Sequence, residues 1–365
     1  MTTENSNRYN NRRLLLVVDY NPEKGGVARV GYLMYRQLAP KVTVSLFGKS
    51  KRNERVIGCD GNVALFFFYV LYYMVFKDCR EVYCDMLGKA TALIFMPNVF
   101  ISKFVIFLHD EEAWFRAKGR HYMAMRKATH LVCNSNYTFQ RFIKTHPEFS
   151  DKTKVCLLAG VPTSFYNTYT LEDSEFWPWF STKPKYCVFV SRLWKKHRYK
   201  GYLELLDAFA ALHYNYPDSK LKLVIIGRGD DERYVASRIQ QYGLQDRVYL
   251  FNNVNDKDLV LFYQHSEALM FPSSREGFGY VFLEAMFAKK ACIGLKGQPA
   301  EEIIEEGKSG FLLQDNQPET LLKVLRDIDE FPEKYSAMGE IGYEIYHNKF
   351  TFEHFKERFE SSIAV

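Results

Sequence analysis

Hydrophobic and polar positions fall into alternating blocks along most of the chain. Short apolar runs bounded by turn residues read as buried strands, and stretches with apolar residues three and four apart read as helices lying on a core. Arg13–Val18 is the first strand, and Val27–Leu38 the first helix, with Val27, Val30, Leu33, Met34 and Leu38 inward. Strands Lys41–Phe47, Glu81–Cys84, Lys103–Leu108, Leu131–Cys133 and Lys154–Leu158 follow, separated by helices Val63–Phe76, Phe115–Ala128 and Tyr137–Lys144. Thr168–Pro184 breaks the pattern with Trp177-Pro178-Trp179 and a second proline, and is expected to link two domains.

A second series then begins. Its strands are Tyr186–Val190, Leu221–Ile226, Val248–Phe251, Ala268–Phe271, Ala291–Leu295 and Gly310–Leu313. Its helices are Tyr202–Leu212, Asp231–Tyr242, Asp256–His265, Tyr280–Ala288, Glu301–Glu306 and Glu319–Asp329, and Thr351–Ile363 closes the chain as an amphipathic helix. Strand–helix alternation predicts mostly parallel, doubly wound α/β sheets. The expected division is a disordered tail at 1–12, a first domain with its linker at 13–184, a second domain at 185–345 and a closing helical segment at 346–365. Two such domains are expected to face a cleft at the carboxyl ends of their strands, where open α/β sheets bind ligands.

Composition narrows the classes. The 365 residues are 47% hydrophobic and 25% charged, an ordinary globular balance, and the net charge of +6 suits an anionic ligand without demanding one. The basic runs Lys49–Arg55 and Lys195–Arg198 lack the extent and aromatic interleaving of a nucleic-acid module, so nucleic acid is not an expected partner. The seven cysteines show no C-x-x-C or Cys/His ligand spacing; buried free thiols are expected, and no metal site. The polar residues 1–13 do not form a secretory leader, so a cytoplasmic location is expected. Val63–Phe76 is entirely apolar or aromatic but shorter than the ~20 residues needed to span a bilayer. A buried helix is the first reading, and a peripheral membrane contact on the cytoplasmic face is the second.

The densest chemistry lies at Pro272–Glu284, between the strand Ala268–Phe271 and the helix that follows. Gly277 and Gly279 let backbone approach a ligand closely, and a helix start offers free N–H groups to a phosphate. Glu276 and Glu284 stand seven residues apart, and Glu284 can hold hydroxyls. Other strand-end turns carry Gly25-Gly26, His109-Asp110, Arg192 with Lys200, Gly227-Arg228-Gly229, and Val254. Arg192 and Lys200 can neutralise a diphosphate, Gly277–Phe278–Gly279 can cradle it, Gly25 and Gly26 can approach it, and the chain around Val254 can edge a base. Singly, each has a plainer reading: a surface charge for Arg192 or Lys200, a satisfied core histidine for His109, a tight turn for each glycine pair. Joint placement after strands is what points to a nucleotide-linked substrate.

Ser191-Arg192-Leu193 with Lys200-Gly201, then Pro272-Ser273 with Glu276-Gly-Phe-Gly and Glu284, resemble the retaining glycosyltransferases of family 4, which have two Rossmann-like domains in the GT-B fold. Gly25-Gly26, His109-Asp110, Asn134-Ser135, Gly160-Val161 and Gly310-Phe311 also fall where that family has counterparts. The resemblance implies transfer of a sugar from a UDP- or GDP-linked donor to a glycan, glycolipid or glycoprotein hydroxyl, with retention at the anomeric carbon and no metal or other cofactor. Arg192 and Lys200 then bind diphosphate, Glu284 the ribose, Glu276 the donor sugar, and His109 lies beside the transferred sugar. The final helix is expected to cross back to the first domain.

Departures from the family pattern are local. Ser191 replaces a usual glycine, and Lys195–Tyr199 lengthens the gap before Lys200, leaving Lys195 or Lys196 as alternative phosphate contacts. Lys290 stands where glycine is usual, and the sugar-facing loop at Lys296–Glu302 carries an apparent extra residue. A glycoside hydrolase also pairs carboxylates but needs no cations or glycine-rich helix start. A GT-B phosphorylase and a non-catalytic nucleotide-sugar-binding partner on the same fold are the remaining alternatives.

Overall fold

The computed structural model describes residues 10–19, 21, 25–51, 55–160 and 170–364. They divide into two compact units, one of Met1–Ala159 with Phe352–Val365, the other of Gly160–Thr351.

The first unit is built on strands β1 (Asn10–Val17), β2 (Pro40–Ser45), β3 (Val56–Gly58), β4 (Glu81–Cys84), β5 (Lys103–Leu108), β6 (His130–Cys133) and β7 (Thr153–Val155). They form a seven-stranded sheet in the order β3-β2-β1-β4-β5-β6-β7, with every ladder parallel. Leu14–Leu16 and Phe104–Leu108 are fully buried, as expected of continuous apolar strands covered on both faces. Of the predicted stripe, helix Gly26–Leu38 buries Val30, Leu33, Met34 and Leu38, with Val27 only half-buried, and adds Ala28 and Gly31.

Three expectations for this unit are corrected. The first strand begins at Asn10, inside the expected tail, while residues 1–9 lie outside the described residues. The helix expected at Phe115–Ala128 begins only at Gly119, which turns the chain at φ +54°, and a separate short helix, Asp110–Trp114, precedes it. Helix Val63–Phe76 forms as predicted, but it buries only Phe66, Val70 and Met74. These are four residues apart, so one narrow side packs inward.

Helix Phe352–Ser362 belongs to the first unit, with Phe355 and Phe359 fully buried. The Phe359 ring stacks on Phe107 at 6.3 Å, Lys103 Nζ donates to the Ile363 carbonyl at 2.7 Å, and Gln37 Nε2 donates to Glu360 Oε1 at 2.7 Å.

The second unit carries β8 (Tyr186–Val190), β9 (Lys222–Ile226), β10 (Val248–Phe251), β11 (Ala268–Met270), β12 (Ala291–Leu295) and β13 (Gly310–Leu313). Their order is β10-β9-β8-β11-β12-β13, again with parallel ladders throughout. The described part of the expected interdomain link, from Thr170, is part of this unit. Phe176 packs on Phe251 and Phe262 at 5.1 Å each, and Trp179 on Tyr186 at 4.9 Å, so these two aromatics join the core while Trp177 stays exposed. The helix expected at Glu301–Glu306 is a single 3₁₀ turn, Pro299–Glu302. Sequence reading also passed over helix Pro332–Lys349, which lies so close to its neighbour that a Cβ on Gly339 would stand 2.0 Å from the Lys289 carbonyl oxygen. All seven cysteines are buried and unbridged.

Each sheet changes direction once, between β1 and β4 and between β8 and β11. Crossover helices leave to opposite sides at such a point, opening a crevice outside the carboxyl ends of the two strands.

Candidate active site

In the second unit that crevice lies where β8 and β11 end. β8 runs into Ser191-Arg192, and the following loop folds back across the end of β9. Ser191 N–H donates to the Ile226 carbonyl at 3.0 Å and Leu193 N–H to the Arg228 carbonyl at 2.8 Å. Only glycine permits this approach: a Cβ on Gly227 would lie 1.8 Å from the Ser191 oxygen, and one on Gly229 1.9 Å from the Leu193 oxygen. Gly227, a predicted ligand residue, thus has a backbone-packing role that accounts for it.

Arg198 braces the same loop. Its Nε and Nη2 each donate to the buried Asp231 carboxylate at 2.7 Å, and Tyr202 Oη donates to Asp231 Oδ2 at 2.6 Å. The bond to Arg198 holds the Asp231 carboxyl below the usual range, despite the opposing effect of burial. With Arg198 committed inward, Arg192, Lys195, Lys196 and Lys200 are the cations of this loop.

Lys200 Nζ forms an ion pair with Glu276 Oε1, which also accepts from Ser273 Oγ at 2.8 Å. Gly201, at φ +84°, brings the loop against β11's exit, where a Cβ would stand 2.5 Å from the Pro272 oxygen. Ser274 N–H donates to the Tyr199 carbonyl at 2.9 Å, so the two loops are stitched together. His197 reports the local field: its imidazole is pushed down to about 4, first by burial, then by Arg192, Lys200 and Lys196. The imidazole lies 5.1 Å from the Trp194 ring and 5.5 Å from the Tyr199 ring, which Lys200 Nζ approaches to 5.7 Å. Arg192 and Lys196 also flank the Trp194 ring, at 5.0 and 4.5 Å from its centroid.

Gly277, Phe278 and Gly279 are buried beside this cluster in the chain. Gly279 caps helix Tyr280–Phe287 at φ +94°, a conformation that favours glycine. Phe278 is 3% exposed, so its ring serves packing and only its backbone suits a ligand role. Glu284 is half-buried one turn into the helix, and its Oε2 accepts from the buried Tyr263 hydroxyl at 2.8 Å. Tyr263 was not singled out in the sequence, because the contact spans 21 positions. Val254 is half-buried in the turn after β10, two strands from β8.

The first unit gathers different chemistry at its own crevice. Asp19, Asp85, His109 and Asn134 follow β1, β4, β5 and β6, and all four are buried. Asp85 Oδ2 accepts from Val18 N–H at 2.9 Å. Burial pushes the Asp85 carboxyl up to about 8, with Asp19 adding to the rise and Lys89 opposing it. His109 Nε2 donates to the Asp85 carbonyl at 2.7 Å, and Asn134 Nδ2 stands 3.4 Å from Nδ1. Burial lowers the imidazole to about 4, so the ring is neutral at physiological pH and fixed in orientation. Glu112 caps the short helix after His109 by accepting from the His109 N–H at 3.0 Å, and burial raises its carboxyl well above the usual range. Sequence reading named His109 and Asn134 but missed Asp19, Asp85 and Glu112. An acid at a strand's carboxyl end was the available signal for the first two. Gly25 and Gly26 open helix Gly26–Leu38, with Gly25 at φ +111°. Among the described residues, no group of three His, Cys, Asp or Glu side chains is arranged to hold a metal ion.

Residues 172–345 match the family model for glycosyl transferases group 1. The chain is 29% identical over 143 residues to an uncharacterised glycosyltransferase of Haemophilus influenzae, covering 39% of each chain. It is 28% identical over 207 residues to the D-rhamnosyltransferase WbpZ of Pseudomonas aeruginosa, covering 56% of this chain and 51% of the relative. These matches span between two fifths and about half of the relatives' lengths. Among solved structures, Anabaena HepE, determined with UDP and glucose, superposes with a TM-score of 0.78 at 17% identity, over 97% of this chain and 99% of that one. The glycosyltransferase WaaG, involved in lipopolysaccharide biosynthesis, superposes at 0.70 and 16% identity, over 97% and 100%. The fold is thus that of the GT-B glycosyltransferases, with two Rossmann-like α/β units.

Proposed function

We propose that this chain is a retaining glycosyltransferase that moves a sugar from a UDP- or GDP-linked donor to a hydroxyl of a glycan, glycolipid or glycoprotein. The observation that carries the reading is the gathering of Arg192, Lys196 and Lys200 around the Trp194, His197 and Tyr199 rings after β8, with Lys200 paired to Glu276 after β11, beside a glycine-led helix start and Glu284. The match of residues 172–345 to glycosyl transferases group 1 supports it.

As the sugar–phosphate bond breaks, negative charge grows on the β-phosphate of the leaving nucleotide. Fixed cations and amide dipoles aimed at that position stabilise the transition state without reorganising. Lys200 has three N–H donors, and its pairing with Glu276 leaves donors for phosphate while holding the ammonium in place. Protein cations meet the diphosphate charge in this reading, so it requires no metal ion. Glu284, steadied by Tyr263, is placed to accept from ribose hydroxyls. Glu276 touches the donor sugar, and a donor phosphate oxygen takes the acceptor's proton on the face the nucleotide leaves.

The test is turnover of radiolabelled UDP- and GDP-sugars, chosen by a thermal-shift screen. Donors at ~100 times their dissociation constant add ~2.7 kcal/mol of stability. NMR of the product anomer reads the stereochemistry. An inverted product rules out retention, and binding without turnover of any bound donor favours a non-catalytic nucleotide-sugar-binding protein.

A further inference from the structure

Helix Val63–Phe76 carries no charged residue over its whole length, yet only one side of it is packed. Its outward positions are Phe67 at 42% exposure, Phe68 at 58%, Leu71 at 50% and Phe76 at 73%. A surface helix of a globular protein ordinarily turns charged residues outward, and one apolar all round is ordinarily covered on every side. The outer side is also ordered: Phe68 stacks with Tyr72 at 6.3 Å, and Tyr72 lies 5.9 Å from Phe76. At the amino end Phe47, 54% exposed, prolongs the apolar surface beside Gly61.

Cations stand at the carboxyl end, where Lys77 Nζ lies 5.6 Å from the Tyr72 ring centroid; at the other end Lys89, 5.7 Å from the Phe47 ring, is half-buried in the field of Asp85 and Glu112. Lys41 Nζ donates to the Lys77 carbonyl at 2.7 Å, and Arg80 follows closely. Of the acids nearest this end, Asp78 pairs with Arg80 at 2.6 Å and Glu81 with Arg13 at 3.2 Å, so Lys41 and Lys77 leave the carboxyl flank net positive.

We infer that this face docks on an anionic lipid bilayer, with the helix lying in the plane of the interface. Aromatic and aliphatic side chains enter the headgroup–acyl boundary while the flanking lysines meet lipid phosphates. At ~1.5 Å per residue the helix is about 21 Å long, too short to span, and no helix among the described residues is long and apolar enough to cross a membrane. A second copy fits less well. A face about 21 Å by 10 Å is far below the roughly 800 Å² per partner of a stable protein pair, whereas a bilayer demands no matching shape.

The experiment is co-sedimentation of the full chain with phosphatidylcholine vesicles, alone or mixed with phosphatidylglycerol. The protein is expected to pellet with the mixed vesicles and largely remain in the supernatant with the neutral ones. Paired Phe68→Glu and Leu71→Glu substitutions, both on exposed positions, are expected to reduce partitioning by about tenfold or more without changing the melting temperature. Lys77→Gln is expected to reduce it by about fivefold, and added salt to weaken it further. Leu71→Cys carrying a polarity-sensitive dye gives a second readout, a blue shift on adding mixed vesicles. Supernatant protein with no dye shift overturns the inference. So does a self-association in sedimentation velocity that the paired substitutions abolish, which would assign the face to a second copy.

Discussion

The two units share a sheet plan and differ in how they handle charge. Both are parallel, and both reverse strand order beside their first strand. The first unit buries acids at its strand ends, with Asp85 raised to about 8 and Glu112 raised well above its usual range by burial. The second gathers cations, lowers His197 first by burial and then through them, and ties its buried acid Asp231 to Arg198. Topology sets where a ligand can sit, and the residues at the strand ends set what charge it meets. The second unit offers a ligand positive charge, while the first offers it neutral hydrogen-bonding groups.

Removing a cation from the second unit attacks this contrast most directly. Lys200→Ala is expected to lower kcat/KM for the nucleotide-sugar by ~10²–10³, with Lys200→Arg recovering part of it. Steady-state assays check this, and a loss below tenfold would pass the principal role to Lys195 or Lys196. Gly227→Ala forces a side chain against the Ser191 oxygen, and its expected cost of about 1–3 kcal/mol is read by denaturant melts. An unchanged midpoint would show that the loop yields freely.

The first unit's buried acid yields a signature in pH. Unfolded Asp85 ionises near ~4, whereas the folded carboxyl keeps its proton up to about 8. Between those values the folded state holds a proton that the unfolded chain has lost, so this group's contribution to stability falls as pH rises. Asp85→Asn, which keeps an acceptor for Val18 N–H, is therefore expected to gain in melting temperature relative to the parent as pH rises through that window. A constant difference across pH would place the ionised form inside the fold. The smallest expected effect is Tyr263→Phe, which frees Glu284 from its 2.8 Å bond and should raise the donor KM by about fivefold, for about 1 kcal/mol.

The alternation of apolar runs made both sheets legible, because each central strand is buried on both faces and shows it locally. Short edges such as Val56–Gly58 carried too little pattern. Pro332–Lys349 was missed because Gly339 and Gly342 interrupt the buried stripe of Tyr335, Met338, Ile345 and Tyr346. Trp179 and Phe180 read as linker because their packing depends on partners such as Phe251 and Phe262, far along the chain. In the candidate site, Glu276, Glu284, Arg192 and Lys200 were visible as a spaced motif. Asp85, Tyr263 and Asp231 were not, since what singles them out is a contact made across the fold.

The helix Phe352–Ser362 has a consequence for synthesis. Its buried phenylalanines complete a unit whose other residues leave the ribosome first, with the whole of Gly160–Thr351 made in between. At ~5–20 residues per second that interval is roughly 10–40 s. Throughout it the nascent first unit waits with the rings of Tyr83 and Phe107 lacking their Phe359 partner. Chaperones would meet this protein during that delay, and a premature stop near the end would leave the earliest-made part of the chain unfinished.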